Sequence, residues 1–178
     1  MHHDQIWAPW RLAYIRDDAT KQSPPQRTLH LVDDAGEECF LCHDVSDSND
    51  RENLVVHRGK HCLVVLNRYP YNNGHLLVAP HRHQGQPDDL SDEETLELQQ
   101  TINRMIAVMR RLLGPDGFNV GLNLGQAAGA GLPGHLHWHI VPRWNGDTNF
   151  MPVLSGVDVI SQSLDALWEA LDEELREE

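Results

Sequence analysis

The chain has 178 residues, enough for one domain with a sizeable core, and no apolar run approaches the length of a membrane span. Its apolar fraction of 40% and charged fraction of 23% are those of a soluble globular protein. The formal charge of −13 repels polyanions, which excludes general nucleic-acid binding but leaves room for a small phosphorylated ligand in a local pocket.

The N-terminal stretch MHHDQIWAPWR has no apolar signal-peptide region, so a cytoplasmic protein is expected. The aromatic patch of Trp7, Trp10 and Tyr14 leads into polar residues 16–37, which contain Ser23-Pro24-Pro25 and read as a loop or extended arm. Three cysteines, Cys39, Cys42 and Cys62, make an odd count that argues against a disulfide framework. Cys39 and Cys42 are spaced so that two thiolates can share one tetrahedral ion, although two ligands do not make a site. Residues 54–57 and 61–67 read as strands around a turn at Arg58-Gly59-Lys60, with Cys62 as a small buried apolar residue. Residues 74–80 read as a third strand, stopped by Pro80.

Ser91 and Glu94 form a capping box that opens a helix. Leu98, Ile102, Met105, Met109 and Leu112 follow at helical spacing, and Gly114-Pro115 ends it. Residues 118–124 alternate, with Phe118, Val120, Leu122 and Leu124 on one face. The small-residue loop 127–134 precedes a strand expected at 135–141. A last amphipathic helix carries Ile160, Leu164, Leu167, Trp168, Leu171 and Leu175. The order of elements predicts an α+β fold in one domain. Its parts are an arm at 1–37, a core at 38–150 and a C-terminal helix within 151–178.

The strand HLHWHIV places His135, His137 and His139 at period two on one face, with successive Cα atoms roughly 7 Å apart. Imidazoles on one wall beside a glycine-rich loop weaken a fold unless they have partners. They serve either metal binding or nucleophilic and acid–base chemistry near neutral pH.

This His-φ-His-φ-His-φ-φ pattern resembles the signature of the histidine-triad (HIT) family. The segments LNRYPYNNGHLLVAPHRH (66–83), NLGQAAGAGLPG (123–134) and CFLC (39–42) resemble its other motifs, over roughly residues 39–150. The N-terminal WAPWRLAYI and the PRWNGDTNF extension resemble the branch of diadenosine tetraphosphate phosphorylases and hydrolases. The resemblance implies a HIT-like fold with a mainly antiparallel sheet of about five strands, a long helix and a C-terminal helix. It also implies a homodimer, which exposed Met105, Met109 or Trp residues would support.

The resemblance further implies that His137 attacks the α-phosphorus to form a nucleotidyl-histidine intermediate, with its other nitrogen held by the backbone carbonyl of His135. His139 would contact the phosphates and assist the leaving group, and His75 would support that network. Asn67 would bind the ribose, Asn123 the phosphates or the ribose, and the backbone of Gly131 and Leu132 the phosphates. Phe40 and Leu41 would line the base pocket. Cys39, Cys42, His83 and His135 would hold a structural zinc ion, with His81 and His43 as competitors for the place of His83. The implied function is a nucleotidyl hydrolase or transferase acting on dinucleoside polyphosphates. The alternatives are a nucleoside phosphoramidate hydrolase and a non-catalytic nucleotide-binding module. Sugar-1-phosphate nucleotidyl transfer is disfavoured, because the related enzymes have glutamine where this chain has His139.

Overall fold

The computed structural model describes residues 39–147 and 160–177. The aromatic N-terminus, the arm at 16–37 and part of the PRWNGDTNF extension lie outside the described residues. The described chain runs α1 (Phe40–Ser46), α2 (Asp50–Asn53), β1 (Val55–Arg58), β2 (Cys62–Leu66), β3 (Leu76–Pro80), α3 (Asp92–Leu113), β4 (Gly117–Leu122), β5 (Trp138–Arg143) and α4 (Leu164–Arg176). The five strands form one sheet in the order β1-β2-β3-β5-β4, and every neighbouring pair is antiparallel. The α+β expectation therefore holds.

Strand alternation divides the core in two. Cys62, Val64, Leu66, Leu76, Val78 and Ile140 face α3 and α4, and pack with Leu98, Ile102, Met105, Val108, Met109, Leu167 and Leu171. Leu63, Val65, Leu77 and Ala79 point to the opposite face and pack with Cys39, Leu41 and Cys42 of the α1 segment. β2 and β3 are buried at every position because both of their faces are covered, so they read as apolar runs rather than alternating strands. Cys62 is wholly buried, and burial pushes its thiol up to about 11. This agrees with its reading as a packing residue.

The capping box at the start of α3 is present in both directions, Glu94 N–H to Ser91 Oγ and Ser91 N–H to the Glu94 carboxylate. Arg82 grips the same carboxylate with two bonds of 2.7 and 2.6 Å, which ties the end of β3 to the start of the helix. That guanidinium holds the Glu94 carboxyl down at about 2. The C-terminal helix begins at Leu164, after Ile160, with Ser163 accepting from Ala166 N–H. Trp168 Nε1 donates to the Val55 carbonyl, which seats α4 against β1.

Three expectations need correction. The strand expected at 135–141 joins the ladder only at Trp138, paired with Val78 of β3, and extends to Arg143. Pro80 has no N–H to offer Leu136, and its carbonyl is taken by the His135 side chain at 2.9 Å, so the ladder stops there. Met105 and Met109 are wholly buried against the sheet and offer nothing to a second copy. The alternation expected at 118–124 ends early: β4 stops at Leu122, so Leu124 lies beyond it, and Val120 and Leu124 are each 44% exposed.

Gly74 closes the loop that returns the chain into β3. Its φ is +78°, and a Cβ there would lie 2.5 Å from Met109 Cε and 2.9 Å from Leu113 Cδ1. Gly74→Ala is expected to cost roughly 1–3 kcal/mol of unfolding free energy in denaturant titration. A variant as stable as wild type would show that the loop relaxes freely.

Candidate active site and metal centre

The face of the sheet opposite α3 carries the histidines. His139 pairs with Leu77 and shares its face, while Trp138 and Ile140 turn toward the helices. His137 and His135 precede the strand, His135 in a bend that follows the loop. His137 Nδ1 lies 2.8 Å from the His135 carbonyl, which can only accept, so Nδ1 carries the proton. In the neutral ring Nε2 is then an unprotonated lone pair. The His139 ring stands edge-on to His137 with centroids 5.1 Å apart, and its Nδ1 is 2.9 Å from His75 Nε2.

His75 is buried at the start of β3, directly after Gly74. Burial first, and then the neighbouring His139 and His137 rings, lower its pKa to about 3. The same causes, burial and then His137, lower that of His139 to about 4. Both imidazoles are therefore neutral at physiological pH.

Asn67 follows β2, and its carboxamide nitrogen is 3.2 Å from His75 Nδ1. Tyr71 did not emerge from the sequence. Its ring lies 4.6 Å from that of His75 and stacks at 5.7 Å and 22° on that of His139, and its backbone N–H donates to His75 Nδ1 at 3.1 Å. Its only sequence signal is its place four residues before His75, across the Asn72-Asn73-Gly74 turn. That turn is held by Asn72, whose side chain donates to the Pro142 carbonyl and to Asp147.

Asn123 is half-buried just beyond Leu122, the partner of Trp138, which brings it to the end of the ladder beside His137. The loop at 125–134 is folded by short backbone bonds from Ala128, Gly129 and Ala130. In this loop Gly131 is exposed and Leu132 half-buried, packed on the second core. Phe40 is 46% exposed, whereas Leu41 is sealed within that core.

Next to this array, Cys39, Cys42, His83 and His135 each bring one ligand atom within 4.8 Å of the others. His135 Nδ1 is 3.3 and 3.4 Å from the sulfurs of Cys39 and Cys42, and His83 Nδ1 is 3.2 Å from that of Cys42. A tetrahedral zinc ion with ordinary bond lengths separates sulfur from nitrogen by about 3.5 Å, so this donor set fits. His135 Nε2–H donates to the Pro80 carbonyl, which leaves Nδ1 as the free ligand atom. With no cation, burial and the adjacent Cys39 push the Cys42 thiol up to about 12, a penalty that a cation removes. His81 and His43 stand outside the group. His43 Nδ1 lies 3.4 Å from Asp44, and His81 lies against the Cys62 backbone.

The HIT domain family model matches residues 48–146. The chain is 41% identical over 160 residues to a protein from Mycobacterium tuberculosis named AP-4-A phosphorylase, covering 90% of this chain and 78% of that one. This chain belongs to the HIT domain family. It is also 31% identical over 93 residues to the Schizosaccharomyces pombe bis(5'-nucleosyl)-tetraphosphatase [asymmetrical], covering 52% and 50% of the two chains. Among solved structures, a zinc-bound histidine triad family protein from Mycobacterium smegmatis matches with a TM-score of 0.57 and 26% identity. That match covers 70% of this chain and 84% of the other.

The two neutral imidazoles set a pH dependence. Unfolded histidine titrates near 6.5, and the folded values of His75 and His139 lie at about 3 and about 4. Between pH 6.5 and 4 the unfolded state therefore binds more protons, so stability rises with pH in this window and is lost as pH falls. Each ring contributes at most about 1.4 kcal/mol per pH unit. Asp44, pushed up to about 6 by burial, acts in the opposite sense below pH 6 and takes back part of the loss. Chemical unfolding at pH 7 and pH 5 is expected to show the lower stability at pH 5. Equal or greater stability there would contradict neutral, buried imidazoles.

Proposed function

We propose that this HIT-family chain is an enzyme that cleaves dinucleoside polyphosphates such as diadenosine tetraphosphate at an α-phosphorus, with His137 as the nucleophile. One observation carries the reading: the His137 Nδ1–H is held by the His135 carbonyl, which makes Nε2 the nitrogen whose lone pair can attack. Its similarity to the AP-4-A phosphorylase and the tetraphosphatase supports the substrate class.

The chemistry divides into two displacements. His137 Nε2 attacks the α-phosphorus, the bond to the bridging oxygen breaks, and ATP leaves with the bonding pair on its terminal phosphate. A second nucleophile then takes the adenylyl group and restores His137. Inorganic phosphate yields ADP, and water yields AMP. The extent of similarity to the phosphorylase favours phosphate. His139 faces the leaving oxygen as hydrogen-bond donor, and His75 orients His139. Asn67 takes the ribose, Asn123 and the backbone of Gly131 and Leu132 take the phosphates, and Phe40 borders the base, with the buried Leu41 packed behind it in the core.

The Cys39, Cys42, His83 and His135 set suits a structural zinc ion, since four protein ligands leave no position for water. Held there, His135 keeps fixed the carbonyl that orients His137. The reading also includes a cytoplasmic homodimer of one-domain chains. The β4 edge, unpaired among the described residues, with its exposed Val120, supports dimerisation. Among the described residues, no helix is long and apolar enough to cross a membrane.

Turnover of diadenosine tetraphosphate with and without inorganic phosphate tests the function. ATP plus ADP, formed only with phosphate, is expected, whereas ATP plus AMP would identify a hydrolase. His137→Ala is expected to lower turnover by more than about 1,000-fold with folding retained. Appreciable remaining activity would remove His137 as the nucleophile. Wild type that binds nucleotide yet turns over neither polyphosphate nor phosphoramidate would be a binding module. For the metal, about one zinc per chain is expected by elemental analysis, and Cys39→Ala should lower the melting temperature by several degrees. An unchanged melting temperature would count against a structural ion.

A further inference from the structure

The surroundings of His75 Nδ1 determine more than the position of its ring. Two donors point at that nitrogen, the Asn67 side-chain NH2 at 3.2 Å and the Tyr71 backbone N–H at 3.1 Å. A backbone N–H only donates, so Nδ1 is the lone pair and the proton of the neutral ring sits on Nε2. The Asn67 amide is itself oriented: Tyr69 N–H donates to its Oδ1 at 2.9 Å, which turns the NH2 toward His75. His75 Nε2–H then donates to His139 Nδ1 at 2.9 Å, and His139 keeps its own proton on Nε2. That last N–H is buried and has no partner among the described residues. An unsatisfied donor beside the nucleophile is costly unless an acceptor arrives. A bridging or terminal phosphate oxygen is such an acceptor.

We infer that Asn67 is a positioning residue for the chemistry as well as a ribose contact: together with the Tyr71 N–H it donates to His75 Nδ1, and so shares in setting which nitrogen of His139 carries the proton turned toward the phosphates. The nature of the ligand rests on the function proposed above, whereas the tautomer assignment stands on this hydrogen-bond chain alone. No proton changes hands. The leaving phosphate oxygen accepts a hydrogen bond from His139 Nε2–H as its bond to phosphorus breaks, and both imidazoles stay neutral. A ribose hydroxyl donating to the second lone pair of Asn67 Oδ1 would polarise the amide and strengthen its donation to His75. Ribose recognition and leaving-group assistance are thereby joined through one side chain.

Asn67→Asp separates the two roles. A carboxylate accepts ribose hydroxyls well, but it attracts a proton to His75 Nδ1, leaves Nε2 unprotonated and reverses the chain, so that a lone pair on His139 faces the phosphates. Asn67→Ala loses the ribose contact but keeps the Tyr71 donor and hence the tautomer. Long-range 1H–15N spectra of the full chain, free of substrate, should show wild-type and Asn67→Ala His75 protonated at Nε2, and Asn67→Asp protonated at Nδ1. With a 2′,3′-dideoxyribose substrate, kcat should fall about 100-fold in Asn67→Asp and stay near wild type in Asn67→Ala, whose tautomer is kept by Tyr71. A purely ribose-binding role leaves kcat on that substrate equal to wild type in both variants. Wild-type His75 protonated at Nδ1, a tautomer unmoved by Asn67→Asp, or an unchanged kcat of Asn67→Asp on the dideoxy substrate would each overturn the inference. Wild type inert toward diadenosine tetraphosphate would instead overturn the function, and the spectra would still decide the tautomer.

Discussion

The 2.8 Å hydrogen bond from His137 Nδ1 to the His135 carbonyl is the contact on which the site depends. A histidine with a free ring exchanges its proton between nitrogens and rotates about its side chain. This bond suppresses both, and the residue that supplies it is itself tethered. His135 uses Nδ1 toward two cysteines, Nε2 toward the Pro80 carbonyl and its own carbonyl toward His137. One residue therefore joins the Cys39–Cys42 segment, the end of β3 and the His137 ring.

Such tethering needs a rigid background, and the sheet provides it. The alternation of β2, β3 and β5 sends Val64, Val78 and Ile140 beneath α3, and Leu63, Leu77 and His139 to the other face. The helical layer thus fixes the sheet without entering the site. Buried imidazoles are costly in an apolar setting, and the site limits the cost by giving the His75, His135, His137 and His139 rings each a hydrogen-bond partner. Of these rings, His139 keeps one buried nitrogen, Nε2, without a partner among the described residues.

Much of this was legible in the chain, for identifiable reasons. The period-two histidines, the capping box at Ser91 and Glu94 and the apolar strand runs are local patterns, and each appears where the pattern puts it, apart from the late entry of the histidine strand into the ladder. That shift came from a tertiary competitor: the Pro80 carbonyl binds a side chain rather than the backbone of Leu136. The grouping of Cys39 and Cys42 with His83 and His135 followed from resemblance, since no spacing rule chooses His83 over His81. The structure brings in His83, while His81 turns toward the Cys62 backbone. Tyr71 was invisible because its part is played mainly by a backbone N–H, which any residue carries. The exposure of Val120 could not be read from the alternation, because a period-two pattern does not say whether a strand lies at the edge of its sheet.

The contact between Cys39 and His135 spans 96 positions of the chain. When a ribosome makes this protein, α1, β1, β2, β3 and α3 have all been synthesised before His135 exists. The hairpin pairings and the helix covering them are short-range in sequence and close first, whereas the strand completing the centre of the sheet arrives last. His137, the His135 carbonyl that orients its ring and two of the four candidate metal ligands, Cys39 and Cys42, are thus brought together only when the domain is nearly finished. An incomplete chain has a largely formed scaffold and no assembled chemistry.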